Sequence, residues 1–301
     1  MKPILCGFLD QEEHATFDEV IKRAQKLSID HIALRTYNQK PLIELSDAEI
    51  KQMLNALKTA KIKVSIIDPQ IDPYDIYDDS KHKEALDEFK YMLKFADKFR
   101  ATHLFLRLPI FNDVLEEFDA VQKRLESFVD QAMRSGKKII LLPVNKYKAN
   151  VYAYIVKKLK TQTVSYAYNP VTIMHNGEPA TTAYRLLKQK IGLVQAIDAN
   201  HEMEPMLLGY GKTDILNIFK KLLRDRFDGF IMVDNYYYTD IFKEPKVKQT
   251  FLKKIFSNDK RKKETAKSDL SRKIFPNEET KNVTYDDILE NQIKVLRIIF
   301  K

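Results

Sequence analysis

The sequence predicts an α/β protein, a single (β/α)8 barrel with a C-terminal helical extension. Two observations carry that reading. Short β-branched, apolar runs alternate eight times with amphipathic stretches of helical period, the pattern of a parallel sheet built from βα units. An open doubly wound sheet would carry a glycine-rich phosphate loop after its first strand, whereas Gly7 stands alone there.

The strands are expected at Pro3–Leu9, His31–Thr36, Lys63–Asp68, Thr102–Leu108, Lys138–Pro143, Thr163–Tyr168, Ile191–Ile197 and Gly229–Asp234. Thr16 and Ser46 each stand three residues before a glutamate, Glu19 and Glu49, the arrangement of a capping box that starts a helix. Gly136 should end the fourth helix, because a residue without Cβ adopts the left-handed conformation cheaply. Lys246–Phe256 can supply an eighth helix, and Thr284–Phe300 reads as a further amphipathic helix with Leu289, Ile293, Leu296 and Phe300 on one face. The organisation expected is a barrel over 1–256, a charged linker over 257–283 and the terminal helix over 284–301.

A chain of 301 residues can bury the core of one large barrel. Its longest apolar runs are strand-sized, so no membrane span is expected. The first ten residues lack the long apolar region of a signal peptide, and the only cysteine, Cys6, lies in the first strand, where a thiol packs like a small hydrophobe. Both point to a cytoplasmic protein. The net charge is +9, but Lys243 to Lys281 holds 13 basic and 6 acidic residues, a net +7 that leaves +2 for the rest. Basicity is therefore local, and the run Lys260-Arg261-Lys262-Lys263 is either a solvated face or a weak polyanion contact.

Toward the end of the repeat pattern, Asp198 closes IGLVQAIDAN, Leu208-Gly209-Tyr210-Gly211 and Asp214 follow, and Phe227-Asp228-Gly229 opens the last strand. This ordered set resembles the xylose isomerase-like sugar phosphate isomerase and epimerase superfamily, over about Met1 to Asn235. The resemblance implies a divalent cation held by acidic residues on strands five, six and eight and a histidine on strand seven. The matching positions here are Pro143, Asn169, Asp234 and Gln195, and Thr172 stands where a further histidine is usual. One carboxylate and two neutral amides make a poor site for a hard cation, so no cofactor and no metal is expected. Mn²⁺ or Mg²⁺ could bind only through a rebuilt site, for which His175, Asp198 and His201 are the nearby donors.

Function in such a barrel sits at the C-terminal ends of the strands. Arg35, Arg107, Asn145, Asn169, Gln195 and Tyr236 are the candidate substrate-binding residues, the arginines for a carboxylate or phosphate and the amides for hydroxyls. The two arginines could equally pair with Asp68 or Asp234. Tyr236, Tyr237 and Tyr238 offer faces for stacking on a sugar ring, or pack beneath a neighbouring loop. Asp234, Lys146 and Asp198 are the candidates for proton transfer. The expected partner is a small carbohydrate or sugar phosphate. The resemblance implies an isomerase or epimerase of such ligands; a non-catalytic barrel that binds a carbohydrate or partner in the same pocket is the alternative, and a nucleic-acid-binding relative of apurinic endonucleases a third.

Overall fold

All eight strands form within two residues of the expected bounds in the computed structural model, which describes residues 2–10, 16–238, 242, 267–278 and 281–301. They are β1 (Ile4–Phe8), β2 (His31–Leu34), β3 (Lys63–Ile67), β4 (His103–Arg107), β5 (Lys138–Leu142), β6 (Val164–Tyr168), β7 (Ile191–Gln195) and β8 (Phe230–Asp234). The hydrogen-bonded order is β1-β8-β7-β6-β5-β4-β3-β2, every named pair parallel. β1 and β2 lie against each other at the ends of that order without a ladder between them, so the barrel is nearly closed.

Side chains alternate across a strand, so each barrel strand sends one set inward and one outward. The inward set forms a closed apolar plug of Cys6, Phe8, Ala33, Ile66, Phe105, Ile140, Ala167, Leu193, Phe230 and Met232. The small Ala33 and Ala167 share this plug with the large Phe8 and Phe105, the mix of sizes that fills a barrel rather than leaving a pore. The outward set packs on a ring of helices: α1 (Phe17–Lys26), α2 (Asp47–Ala60), α3 (Asp79–Phe99), α4 (Phe118–Arg134), α5 (Ala149–Lys158), α6 (Pro170–His175), α7 (Ala180–Leu187) and α8 (Ile215–Arg224). The capping boxes at Thr16 and Ser46 are both made, and Gly136 follows α4 with φ +63°.

The last helix, α9 (Tyr285–Ile299), starts from a Thr284–Asp287 capping box and lies on the barrel's own wall between α8 and α1. Phe300 meets Phe219 of α8 edge-on at 5.3 Å, and on the other side Arg23 of α1 reaches Asp286 at 2.6 Å while Arg297 bonds the carbonyls of Leu27 and Ser28. The terminal helix thus stands where the helix following β8 is needed, and Lys246–Phe256, expected to supply that helix, lies outside the described residues. Within the expected linker, residues 267–274 are helical and Leu270 is buried with Leu207, Tyr238, Val283 and Ile288. Leu270 and Val283, with Ile274 partly buried beside them, dock that charged stretch. Among the described residues no helix is long and apolar enough to cross a membrane.

The N-terminal end of the barrel carries two half-buried histidines, His31 bonded to Ser65 (2.7 Å) and His103 bonded to Thr102 (2.8 Å) and edge-on to Phe230. Burial, and then the nearby Lys138, push the His103 imidazole down to about 4. The unfolded chain takes up that proton near pH 6.5, so stability should be full above that pH and fall as the pH drops toward 4, by about 3 kcal/mol. Urea unfolding of His103→Gln at pH 7 and pH 4.5 should show a smaller acid loss than wild type; an equal loss would remove His103 from the acid response.

Candidate functional site at the barrel mouth

The C-terminal ends of three adjacent strands meet around one guanidinium. Arg35 follows β2, Asp10 lies two residues beyond β1, and Asp234 ends β8 beside Phe8 of β1 in register. Arg35 Nε and Nη2 donate to the two oxygens of Asp10, each at 2.6 Å. On its other edge Nη1 and Nη2 donate to Asp234 at 3.2 and 3.1 Å. The guanidinium rests over the Phe8 ring at 4.3 Å. Burial alone would lower the Arg35 pKa, but Asp234 and Asp10 outweigh it and raise it above the ordinary arginine value.

A second ion pair stands on the neighbouring quarter of the mouth. Arg107, the last residue of β4, meets Asp68 in fork geometry at 3.0 and 2.9 Å, and Asp68, buried, also accepts from the Gln70 backbone N–H. Of the two readings of the arginines, pairing with aspartates describes both side chains, with Asp10 as the partner that sequence reasoning missed. Its signal was available: Asp10 follows the first apolar run as Asp68 and Asp234 follow theirs.

The amides also meet. Asn169 Nδ2 donates to Gln195 Oε1 at 2.6 Å across the ends of β6 and β7, while Asn169 Oδ1 accepts from Thr172 N at 2.8 Å and caps α6. One side chain therefore starts a helix and orients a neighbour.

Asp198, expected at the mouth as a proton-transfer group, has a different task. Its carboxylate is buried and accepts from the backbone N–H groups of Ala199, Gly209, Gly211 and Thr213 and from the Thr213 hydroxyl at 2.7 Å. The Leu-Gly-Tyr-Gly turn is wrapped around this anion. Gly209 has φ +86°, and a Cβ on Gly211 would sit 2.1 Å from the Asp198 carboxylate, so both glycines are required by the wrapping. With four backbone N–H groups and a hydroxyl pointed at it, the Asp198 carboxylate anchors the loop.

Lys146 does not join Asp234 either. Lys146 and Asn145 are exposed on the loop after β5, with the Lys146 ammonium 5.7 Å over the Tyr147 ring. The Asn235 and Tyr236 side chains lie outside the described residues. Tyr237 and Tyr238 pack beneath the neighbouring loop, their hydroxyls on the carbonyls of Asp198 (3.1 Å) and Met206 (3.0 Å). His175 and His201 are exposed, and among the described residues no three His, Cys, Asp or Glu side chains are grouped to hold a metal ion.

A cavity of about 260 Å³ opens at the rim between the loops after β6 and β7, lined by Pro170, Glu178, Thr181, Lys212 and Asp214 among others. Asp214 adopts a left-handed backbone (φ 60°) at the start of α8, a conformation that costs a non-glycine residue about 1 kcal/mol.

Residues 21–255 match a family model described as xylose isomerase-like TIM barrel. The chain belongs to the xylose isomerase-like TIM barrel family. No curated protein matches it. Among solved structures it is similar to the D-psicose 3-epimerase of Clostridium cellulolyticum H10 crystallised with D-tagatose, at 14% identity, with all of each chain covered and a TM-score of 0.71. It is also similar to the IolI protein with a bound zinc atom (20% identity, 79% of this chain and 91% of that one, TM-score 0.67). A xylose isomerase-like TIM barrel protein of Mycobacterium smegmatis in complex with magnesium has 15% identity over 77% of this chain and 89% of the other, with a TM-score of 0.60. These likenesses are of fold.

Proposed function

We propose that the chain binds a small, neutral carbohydrate or polyol at the barrel mouth without a divalent cation. The observation that carries this reading is the state of the positions where the family resemblance implies metal ligands. Asn169 and Gln195 are bonded to each other, Asp234 is bonded to Arg35, and Pro143 has no donor. Two neutral amides and a carboxylate already facing a cation do not fit Zn²⁺ or Mg²⁺, which must recover their hydration energy from anionic or imidazole donors.

The charge balance argues for a neutral ligand. Among the described residues three carboxylates, Asp10, Asp68 and Asp234, face the two guanidiniums of Arg35 and Arg107, so an incoming phosphate meets arginines already held by carboxylates. Hydroxyls suit this surface: a carboxylate offers about four lone-pair directions, and pairing with arginine leaves some of them open while locking the group in place. Side chains held this way lose little freedom on binding, which favours affinity. The sugar-acting neighbour, the D-psicose 3-epimerase, makes a ketohexose the first ligand to try.

A binding role is favoured over epimerisation because none of the three proton-transfer candidates is free for it: Asp234 faces Arg35, Asp198 is enclosed, and Lys146 stands on an exposed loop. Calorimetric titration with ketohexoses, polyols and their phosphate esters, in EDTA and again with Mn²⁺, tests the proposal. A neutral sugar should bind equally in both buffers and better than its phosphate. Binding that requires Mn²⁺, or that prefers the phosphate, would contradict it.

A further inference from the structure

The Asp10–Arg35–Asp234 cluster has a geometry that a simple surface ion pair lacks. One atom, Arg35 Nη2, lies 2.6 Å from Asp10 Oδ1 and 3.1 Å from Asp234 Oδ1, so two carboxylate oxygens from different strands converge on a single cationic point. The second oxygens of both carboxylates are bonded to the same guanidinium, through Nε and Nη1. All three side chains are largely buried, 13% exposed for Arg35, 21% for Asp10 and 18% for Asp234, so solvent screens them weakly.

We infer that Arg35 is the resident cation of the barrel mouth, its Nη2 standing where Asp10 and Asp234 would otherwise gather a divalent metal ion. Two facing carboxylates in a half-buried site repel each other, and something positive must lie between them. A metal ion could do so with waters completing its shell. Here a tethered guanidinium does it instead, and the Phe8 ring beneath holds the planar head in place. The tether also has a structural effect: Arg35 follows β2 and Asp10 follows β1, so their ion pair bridges the top of the one seam between named barrel strands that has no ladder. The bridge explains why the cation is covalently attached; the convergence on Nη2 is what makes it a substitute for a metal.

This inference concerns the same mouth as the carbohydrate reading but needs no carbohydrate, so failure of the sugar titrations leaves it standing. Its test is Mn²⁺ binding, followed by the electron paramagnetic resonance of the free ion, in chelator-treated full-length protein. Wild type should bind no saturable equivalent. Arg35→Ala, and Arg35→Met, which keeps an apolar stem on Phe8, should each bind about one Mn²⁺ per chain at least ~100-fold more tightly than wild type, since Asp10 and Asp234 then lose the guanidinium that lies between them. Adding Asp10→Asn to either variant should abolish the gain, which a purely structural bridge across the seam does not predict. If a variant folds only with Mn²⁺ present, that recovery is the expected gain in another form. The inference is overturned if wild type binds one equivalent at this cluster, if the Arg35 variants bind none or fail to recover with Mn²⁺, or if Asp10→Asn leaves their binding unchanged.

Discussion

Truncation before Thr284 is expected to abolish cooperative folding of the whole barrel. The helix removed, α9, contributes Ile288, Leu289, Ile293 and Leu296, none more than 1% exposed, and Phe300 against Phe219. At about 2 kcal/mol for each buried aliphatic side chain, the four alone approach 8 kcal/mol, the order of an entire domain's stability. The loss would also uncover the outer face of β8 and strip Arg23, 8% exposed, of its Asp286 partner, leaving a buried guanidinium with only a backbone carbonyl, that of Leu9. The truncated chain should show helical far-ultraviolet dichroism, weak near-ultraviolet signal and no sharp urea transition. A transition within about 1 kcal/mol of wild type would mean that α9 is an appendage. For the same reason, any contact between polyanions and the basic run Lys260–Lys263 should be tested by exchanging charges, because deleting everything after Lys243 removes part of the core.

Asp198→Ala should be the most damaging single substitution at the mouth. It strands four backbone N–H groups and the Thr213 hydroxyl, in a loop where Ala199 and Thr213 are themselves buried. A buried charged acceptor with this many donors is worth about 3–5 kcal/mol on removal. Asp198→Asn retains one oxygen and should lose roughly half as much. Urea unfolding gives the total, and amide exchange should show the damage concentrated over 198–214, the segment that also supplies Lys212 and Asp214 to the rim cavity. A loss under about 1 kcal/mol would show that the loop is held without the carboxylate and would return Asp198 to the list of reactive groups.

The barrel was legible because its signals are local. Eight short apolar runs, the helix starts at Thr16, Ser46 and Thr284, and the turn glycine Gly136 each act within a few residues of their own position. The composition of the mouth was legible too, since polar residues at strand ends face it in any such barrel; Arg35, Arg107, Asn169, Gln195 and Asp234 are all there. What spacing does not encode is partnership. Whether Arg35 faces a ligand or Asp10 depends on side-chain geometry between strands 25 residues apart, and Asp198 reads the same in sequence whether its carboxylate opens to solvent or is wrapped by a glycine turn. The seat of α9 was hidden for the same reason: an amphipathic stripe announces that it will be buried, not between which helices.

The proposal that this mouth is organised by its own ion pairs rather than by a metal is tested most directly by metal analysis of the purified, undialysed full-length chain, with Mn²⁺ titration of the same sample. No stoichiometric metal before titration, and no saturable binding during it, is the result expected of a site in which Arg35 already lies between Asp10 and Asp234. One tightly held equivalent of zinc, magnesium or manganese that is lost on substituting Asp234 would contradict it.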